Sequence, residues 1–228
     1  MDKAVIIVAG TGKLARELLG ALPGALASAE VIAWADAGKD AGSAIVVHAG
    51  SGRELEEIIC YCQTTKSTLV ELATGSEIEQ RGFDFPVVLC PNTNILMLKF
   101  MAMLAASGSL FRNYQVSITE SHQAEKSSVP GTAVALAQSL GVPSEAIRSI
   151  RDPQAQQDDL KIPAEYLARH AFHRIEIEDQ VGRVVLETSV FGPAPYAEGL
   201  AQIIAAIRSH TLENRRYSVM EFIENGWV

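Results

Sequence analysis

The chain has 228 residues, of which 48% are hydrophobic and 20% charged, and its formal net charge is −8. That size and apolar content support one large domain or two small ones and exclude a disordered chain. The acidic balance argues against nonspecific nucleic-acid binding, and no apolar run reaches the length of a membrane-spanning helix.

Cysteines are three, Cys60, Cys62 and Cys90, without CxxC spacing, so neither a disulfide framework nor a metal site is expected. Cys60 and Cys62 fall in an apolar helical pattern and read as buried free thiols. The amino terminus lacks the long apolar core of a signal peptide, and a cytoplasmic protein is expected.

Residues 4–10, AVIIVAG, form a continuous apolar run ending in glycine, the pattern of a strand buried on both faces. Leu14, Leu18 and Leu22 then recur at helical spacing. A second strand is expected over 30–36 with Asp36 at its end, and a third over 43–50. Residues 52–65 predict a helix, 67–75 a fourth strand and 85–94 a fifth. Strands alternating with helices mean βαβ units and a mainly parallel, doubly wound sheet of the α/β class. The pattern changes at residue 95. Residues 95–111 read as one long helix whose methionines and leucines belong to the core. Residues 114–122 alternate as a strand, 131–141 predict a helix closing on Gly141, and 148–163 are polar and loop-like. Two alternating strands about Gly182 are expected over 170–192, making an antiparallel region. A helix over 197–209 and a short amphipathic end over 218–226 complete the chain.

Three groups of residues can carry chemistry. The first is GTGKLA, Gly10 to Ala15, which fits G-x-G-x-x-G/A between a strand and a helix. Gly10 permits the tight turn, and Gly12 lets a pyrophosphate approach the backbone. Ala15 lets the helix pack closely, and Lys13 and Leu14 open the helix whose N-terminus favours the anion. This is the dinucleotide fingerprint of a Rossmann-type sheet, and Asp36 is placed to bond the ribose hydroxyls of NAD. Ala37 and Gly38 after that acid favour NAD over NADP, with Lys39 within reach of a 2′-phosphate.

The second group lies at the carboxyl ends of the strands, where such sheets bind ligands. His48 reads as a polar wall residue there. Ala73 and Gly75 leave room for a cofactor, and Thr74 and Asn92 can bond a nicotinamide ribose or carboxamide.

The third is ESHQAEKSSVPGTA, residues 120–133. His122 can deliver a proton near neutral pH, Lys126 adds positive charge, and Gly131 and Thr132 at a helix N-terminus can hold a carboxylate. The alternative is a solvated loop with an ordinary helix cap.

With these residues in view, the chain resembles the dihydrodipicolinate reductase (4-hydroxy-tetrahydrodipicolinate reductase) family. The likeness is carried by VAGTGKLARELL, LATG, PNTNILMLKF, ITESHQAEKSSVPGTA and HAFHRIEIEDQVGRVVLETS, in that order along nearly the whole chain. The resemblance implies a dinucleotide-binding domain over 1–93 plus 197–228. It implies an inserted α+β domain over 94–196 for substrate binding and oligomerisation as a homotetramer. It also implies hydride transfer from NADH or NADPH to a cyclic unsaturated imino or enoyl dicarboxylate in lysine and diaminopimelate biosynthesis. By position, His122 matches the family's proton donor, Lys126 its catalytic lysine, and Gly131 and Thr132 its carboxylate anchor. Gly10, Gly12, Asp36, Thr74 and Asn92 match cofactor positions.

Gln123, Ala124 and Glu125 stand where the family has His-Arg-His, and Thr93 where it has an aromatic residue. Arg169, His170, His173 and Arg174 are candidates to replace the lost positive groups. Two other readings follow: a reductase of a different imine or enoyl acid, or an inactive nucleotide-binding homologue.

Overall fold

In the computed structural model, which describes residues 3–37, 42–126, 129–192 and 194–228, Ala4–Ala9 forms the buried strand β1. Lys13–Ala25 (α1), Ala29–Ala33 (β2), Ile45–His48 (β3), Leu55–Thr65 (α2), Thr68–Glu71 (β4) and Val87–Leu89 (β5) follow as alternating elements. Then come Ile95–Ser107 (α3), Gln115–His122 (β6), Gly131–Leu140 (α4), Arg148–Ile150 (β7), Pro153–Asp158 (α5), His170–Glu178 (β8) and Arg183–Phe191 (β9). Ala197–Ser209 (α6), Arg216–Ser218 (β10) and Val219–Glu224 (α7) end the chain. Two compact units result: residues up to Ile95 with Tyr196–Val228, and Leu96–Pro195.

The first unit is built on a six-stranded sheet in the order β10-β5-β4-β3-β1-β2, every pairing parallel. Because β1 lies between β2 and β3, the winding reverses there, and ligands of open α/β sheets bind at such a reversal. Ile7, Val46, Leu69 and Val87 face one side and pack with Ile58 and Ile59 of α2. Ile6, Val8, Val47, Val70 and Val88 alternate to the other side and are as fully buried. Burial on both faces explains why these strands read as continuous apolar runs. Helices α1 and α6 pack against each other, and α6 buries Leu200, Ile203 and Ile204. Near its start α6 touches the 90–94 segment: Thr93 Oγ donates to the Tyr196 carbonyl at 2.9 Å. A Cβ on Gly199 would overlap the Thr93 carbonyl oxygen, so only glycine allows that approach.

The second unit carries a four-stranded mixed sheet, β7-β6-β8-β9, in which only β6–β7 is parallel. Leu136 and Ala137 of α4 and Met97 and Leu104 of α3 pack with Ile118 and Ile175 of the sheet. A smaller cluster of Ile150, Leu160, Ile162 and Phe172 includes residues from the next stretch of chain.

Several expectations are corrected. Asp36 does not end a strand; β2 stops at Ala33, and Trp34–Asp36 form one tight helical turn closed by Ala37 N–H on the Ala33 carbonyl at 3.1 Å. Cys60 is exposed, because the buried stripe of α2 runs through Leu55, Ile58, Ile59 and Cys62 and leaves residue 60 outside it. The long apolar helix ends at Ser107 in a short 3-10 turn, and Leu96, Met103 and Leu110 are exposed rather than core. Residues 148–163 are not a loop: they hold β7 and α5. Asp152 caps α5 by accepting Ala155 N–H at 2.8 Å, and Pro153 opens the helix.

Candidate functional site

In the first unit, the register aligns Ala9, His48, Glu71 and Leu89 across the sheet. Gly10, Ala49, Leu72 and Cys90 follow them, so the β1–α1 turn and the ends of β3, β4 and β5 share one edge. Gly10 has φ of +127°, and a Cβ there would lie 2.6 Å from the Ala49 carbonyl oxygen. Both the conformation and the space demand glycine. Gly12 differs: it is the extended N-cap of α1, and a Cβ on it would meet nothing within 4 Å. No side chain caps α1 and no acid sits in its first turn, which Lys13 and Leu14 open. Its N-terminus therefore carries neither a side-chain cap nor a first-turn carboxylate, a setting suited to an anion. Ala15 is buried, as close helix packing needs.

Asp36 is exposed just beyond β2. Thr74 and Gly75 are exposed in the turn after β4, and Ala73 N–H donates to Glu71 Oε1 at 2.8 Å. Asn92 Oδ1 accepts the Asn94 N–H at 2.9 Å, shaping the turn before α3. His48 is not a surface wall: its side chain is 1% exposed, and Nδ1 donates to the buried Glu71 carboxylate at 2.9 Å. Gly38 and Lys39 lie outside the described residues.

In the second unit, β6 ends in an acid and a histidine. The fully buried Glu120 carboxylate accepts His122 Nδ1–H at 2.8 Å and Arg151 Nη2–H at 2.6 Å. Arg151 Nη1 adds a bond at 3.2 Å, and the Ser149 hydroxyl donates as well. Burial pushes the Glu120 pKa up, but the bonds from His122, Arg151 and Ser149 outweigh it and hold the carboxyl at about 2. An ionised Glu120 fixes the His122 proton on Nδ1 and leaves Nε2 as the exchanging atom. Arg151 Nε also donates to the Lys126 carbonyl at 2.9 Å, and Gln156 Nε2 to the His122 carbonyl at 2.8 Å. Lys126 itself is half-buried, its N–H closing a turn on Gln123.

His173 meets His122 edge to face at 5.8 Å, and His170 stacks at 6.4 Å. Burial drives the His173 pKa down to about 4, helped by His122 and opposed by Glu120. Burial likewise lowers that of His170, which bonds Ser121 Oγ at 2.9 Å. Of the candidates for replacing the lost positive charge, His170 and His173 join His122. Arg174 alternates to the opposite face and pairs with Glu187 at 2.8 Å. The guanidinium of the cluster is Arg151, which sequence reasoning passed over with Ser149 and Gln156. Gly131 is the exposed first residue of α4, with Thr132 half-buried behind it and no side-chain cap from Pro130.

This cluster makes stability depend on pH. The folded pKa of His173, about 4, lies below its ordinary 6.5, so in that interval the unfolded chain binds more protons. Its contribution is complete above pH 6.5 and is lost as pH falls toward 4, roughly 3 kcal/mol in all. Glu120 adds a second loss between 4.5 and about 2. Urea midpoints should therefore fall from pH 6.5 downward, and His173→Asn should flatten the upper part of that decline.

Among the described residues no helix is long and apolar enough to cross a membrane. No family model matches the chain. Curated relatives do. The chain is 30% identical over 154 residues to 4-hydroxy-tetrahydrodipicolinate reductase 2, chloroplastic, of Arabidopsis thaliana, covering 61% of this chain and 44% of the relative. It is 32% identical over 123 residues to probable 4-hydroxy-tetrahydrodipicolinate reductase 1, chloroplastic, of Oryza sativa subsp. japonica, covering 49% and 36%. The matched segments thus span less than half the length of these relatives. Among solved structures, a dipicolinate-bound dihydrodipicolinate reductase from Paenisporosarcina sp. TG-14 shares the fold, with TM-score 0.64 and 15% identity over 96% of this chain and 98% of that one. In sequence the chain is therefore similar to plant 4-hydroxy-tetrahydrodipicolinate reductases over about three fifths of its length, and in fold it is similar to the bacterial dihydrodipicolinate reductase.

Proposed function

We propose that the chain is an NAD(P)H-dependent oxidoreductase that reduces 4-hydroxy-tetrahydrodipicolinate (dihydrodipicolinate) to tetrahydrodipicolinate in lysine and diaminopimelate biosynthesis. The observation that carries the reading is the Glu120–His122 pair braced by Arg151, which also bonds the Lys126 carbonyl, on a stretch that resembles a motif of the reductases. In this reading bound NAD(P)H supplies a hydride. The first-turn N–H groups of α1 hold its pyrophosphate in the space over Gly12, which the uncapped, acid-free helix start fits. Asp36 bonds the adenosine ribose, which favours NAD over NADP, while Thr74 and Asn92 orient the nicotinamide half.

His122 Nε2 delivers the proton that accompanies hydride addition to the double bond, with Glu120 stabilising the imidazolium. Lys126 and the N-terminus of α4 at Gly131 and Thr132 hold a substrate carboxylate. A cytoplasmic homotetramer belongs to the same proposal. The open edge that β9 gives the second sheet supports self-association.

A second reading, reduction of another, less anionic imine or enoyl acid, draws on two observations: Arg151 is committed to Glu120, and Glu125 adds negative charge nearby in sequence. NADH and NADPH oxidation, followed by absorbance with enzymatically generated dihydrodipicolinate and with other imino acids, separates the two. Oxidation only with other imino acids favours the second reading. Nucleotide binding without turnover of any of them overturns both. Lys126→Ala should cut turnover about a hundredfold while NADH binding stays within twofold.

A further inference from the structure

Beneath the edge assigned to the dinucleotide, His48 and Glu71 form a dyad that the mechanism above does not use. Their side chains are 1% and 0% exposed, and they sit directly opposite each other at the ends of β3 and β4. His48 Nδ1 lies 2.9 Å from both carboxylate oxygens, so it carries a proton and donates. Glu71 also accepts Ala73 N–H at 2.8 Å and Ser76 Oγ–H at 3.4 Å. One buried carboxylate therefore ties the end of β3 to both ends of the 73–76 turn.

The other ring nitrogen, His48 Nε2, is buried with no hydrogen-bond partner. It fills the space a side chain on Gly50 would take, 2.9 Å from that Cβ position, in a gap bordered at 3.4 Å by Gly10 Cα and Glu54 Oε2. The imidazole thus lies under the glycine turn that opens α1, on the strand beside β1 where the sheet reverses its winding. Two polar side chains taken wholly out of water are a poor device for stability alone, since an apolar pair of similar volume commonly serves as well. Their bonds go instead to one turn that the nucleotide would touch, Ala73–Ser76, while the imidazole packs close to the other, at Gly10.

We propose that His48 and Glu71 act as a positioning pair for the pyridine nucleotide. Glu71 holds the 73–76 turn through Ala73 and Ser76, and His48 holds the β3 end against the glycine turn, so that both turns present their backbone groups in one fixed geometry. The inference rests on the NAD(P)H reading and adds Glu71, through which neither ligand nor substrate is touched.

The test is calorimetric titration of the full chain with NADH, alongside thermal unfolding. Wild-type protein that binds no NADH or NADPH overturns the nucleotide reading itself, whatever the variants do. Given wild-type binding, His48→Leu combined with Glu71→Met should stay folded, with a melting temperature near that of wild type, yet bind NADH about tenfold more weakly. Glu71→Gln keeps an oxygen for Ala73 N–H and should recover most of the affinity lost in Glu71→Met. Folded variants that bind NADH as wild type does overturn the positioning role. So does a Glu71→Gln that binds no better than Glu71→Met. Should the double variant not fold, the comparison of Glu71→Gln with Glu71→Met decides alone.

Discussion

His122→Gln is expected to lower kcat by about two to three orders of magnitude, the span lost when a positioned general acid is removed. NADH affinity should stay within twofold of wild type, because every nucleotide contact assigned here lies in the other unit. The bond that His122 Nδ1–H donates to Glu120 sharpens the test. Glu120→Gln keeps the side-chain shape but removes the charge that stabilises an imidazolium. It should shift the alkaline limb of the kcat profile, where the proton donor is lost, to lower pH and cost about tenfold in turnover. A His122→Gln enzyme working at a third of the wild-type rate, or a Glu120→Gln profile superimposable on wild type, would show that this imidazole is not the proton donor.

The largest effect on stability is expected at Arg151. Glu120 is fully buried, and Arg151 gives it two bonds, at 2.6 and 3.2 Å. Arg151→Met leaves a carboxylate in the interior with only His122 and Ser149 as donors, which should cost about 3–5 kcal/mol. Turnover should fall with it, since Arg151 Nε also holds the Lys126 carbonyl. Adding Glu120→Gln to Arg151→Met removes the orphaned charge and should restore most of the stability but not the activity. Urea unfolding of the two single variants and the double variant measures this. Additive losses would mean that the two residues do not act as a pair.

Legibility followed burial and spacing. The strands of the first unit were readable because burial on both faces writes continuous apolar runs, and Gly10 because a positive φ against a neighbouring carbonyl admits only glycine. His122 and Lys126 were singled out because their stretch resembles a motif of the reductase family, and the structure places His122 on the buried Glu120 carboxylate. Arg151, Ser149 and Gln156 were not, because the pairing of β6 with β7 and the helix that follows β7 bring them to Glu120 and His122 across about thirty residues, a relation that local pattern does not record. The one local signal was Asp152-Pro153, a helix start that marks the 148–163 stretch as structured. Strand β10 was missed for a different reason: three residues on a sheet edge are too few to show a period. Cys60 and Cys62 show the converse. Composition alone treats them alike, and only the phase of α2 separates the exposed thiol from the buried one.

Thr93 and Tyr196, joined by a hydroxyl-to-carbonyl bond, flank the two places where the polypeptide leaves the first unit and comes back. Gly199 keeps that seam tight. The intervening residues therefore form an excursion whose ends are pinned by the host rather than by the excursion itself. Loop-closure entropy rises only logarithmically with length, so lengthening or trimming the excursion costs the host little. The seam gives evolution a socket, in which one nucleotide-type sheet accepts inserts of different size and chemistry without being refolded around them.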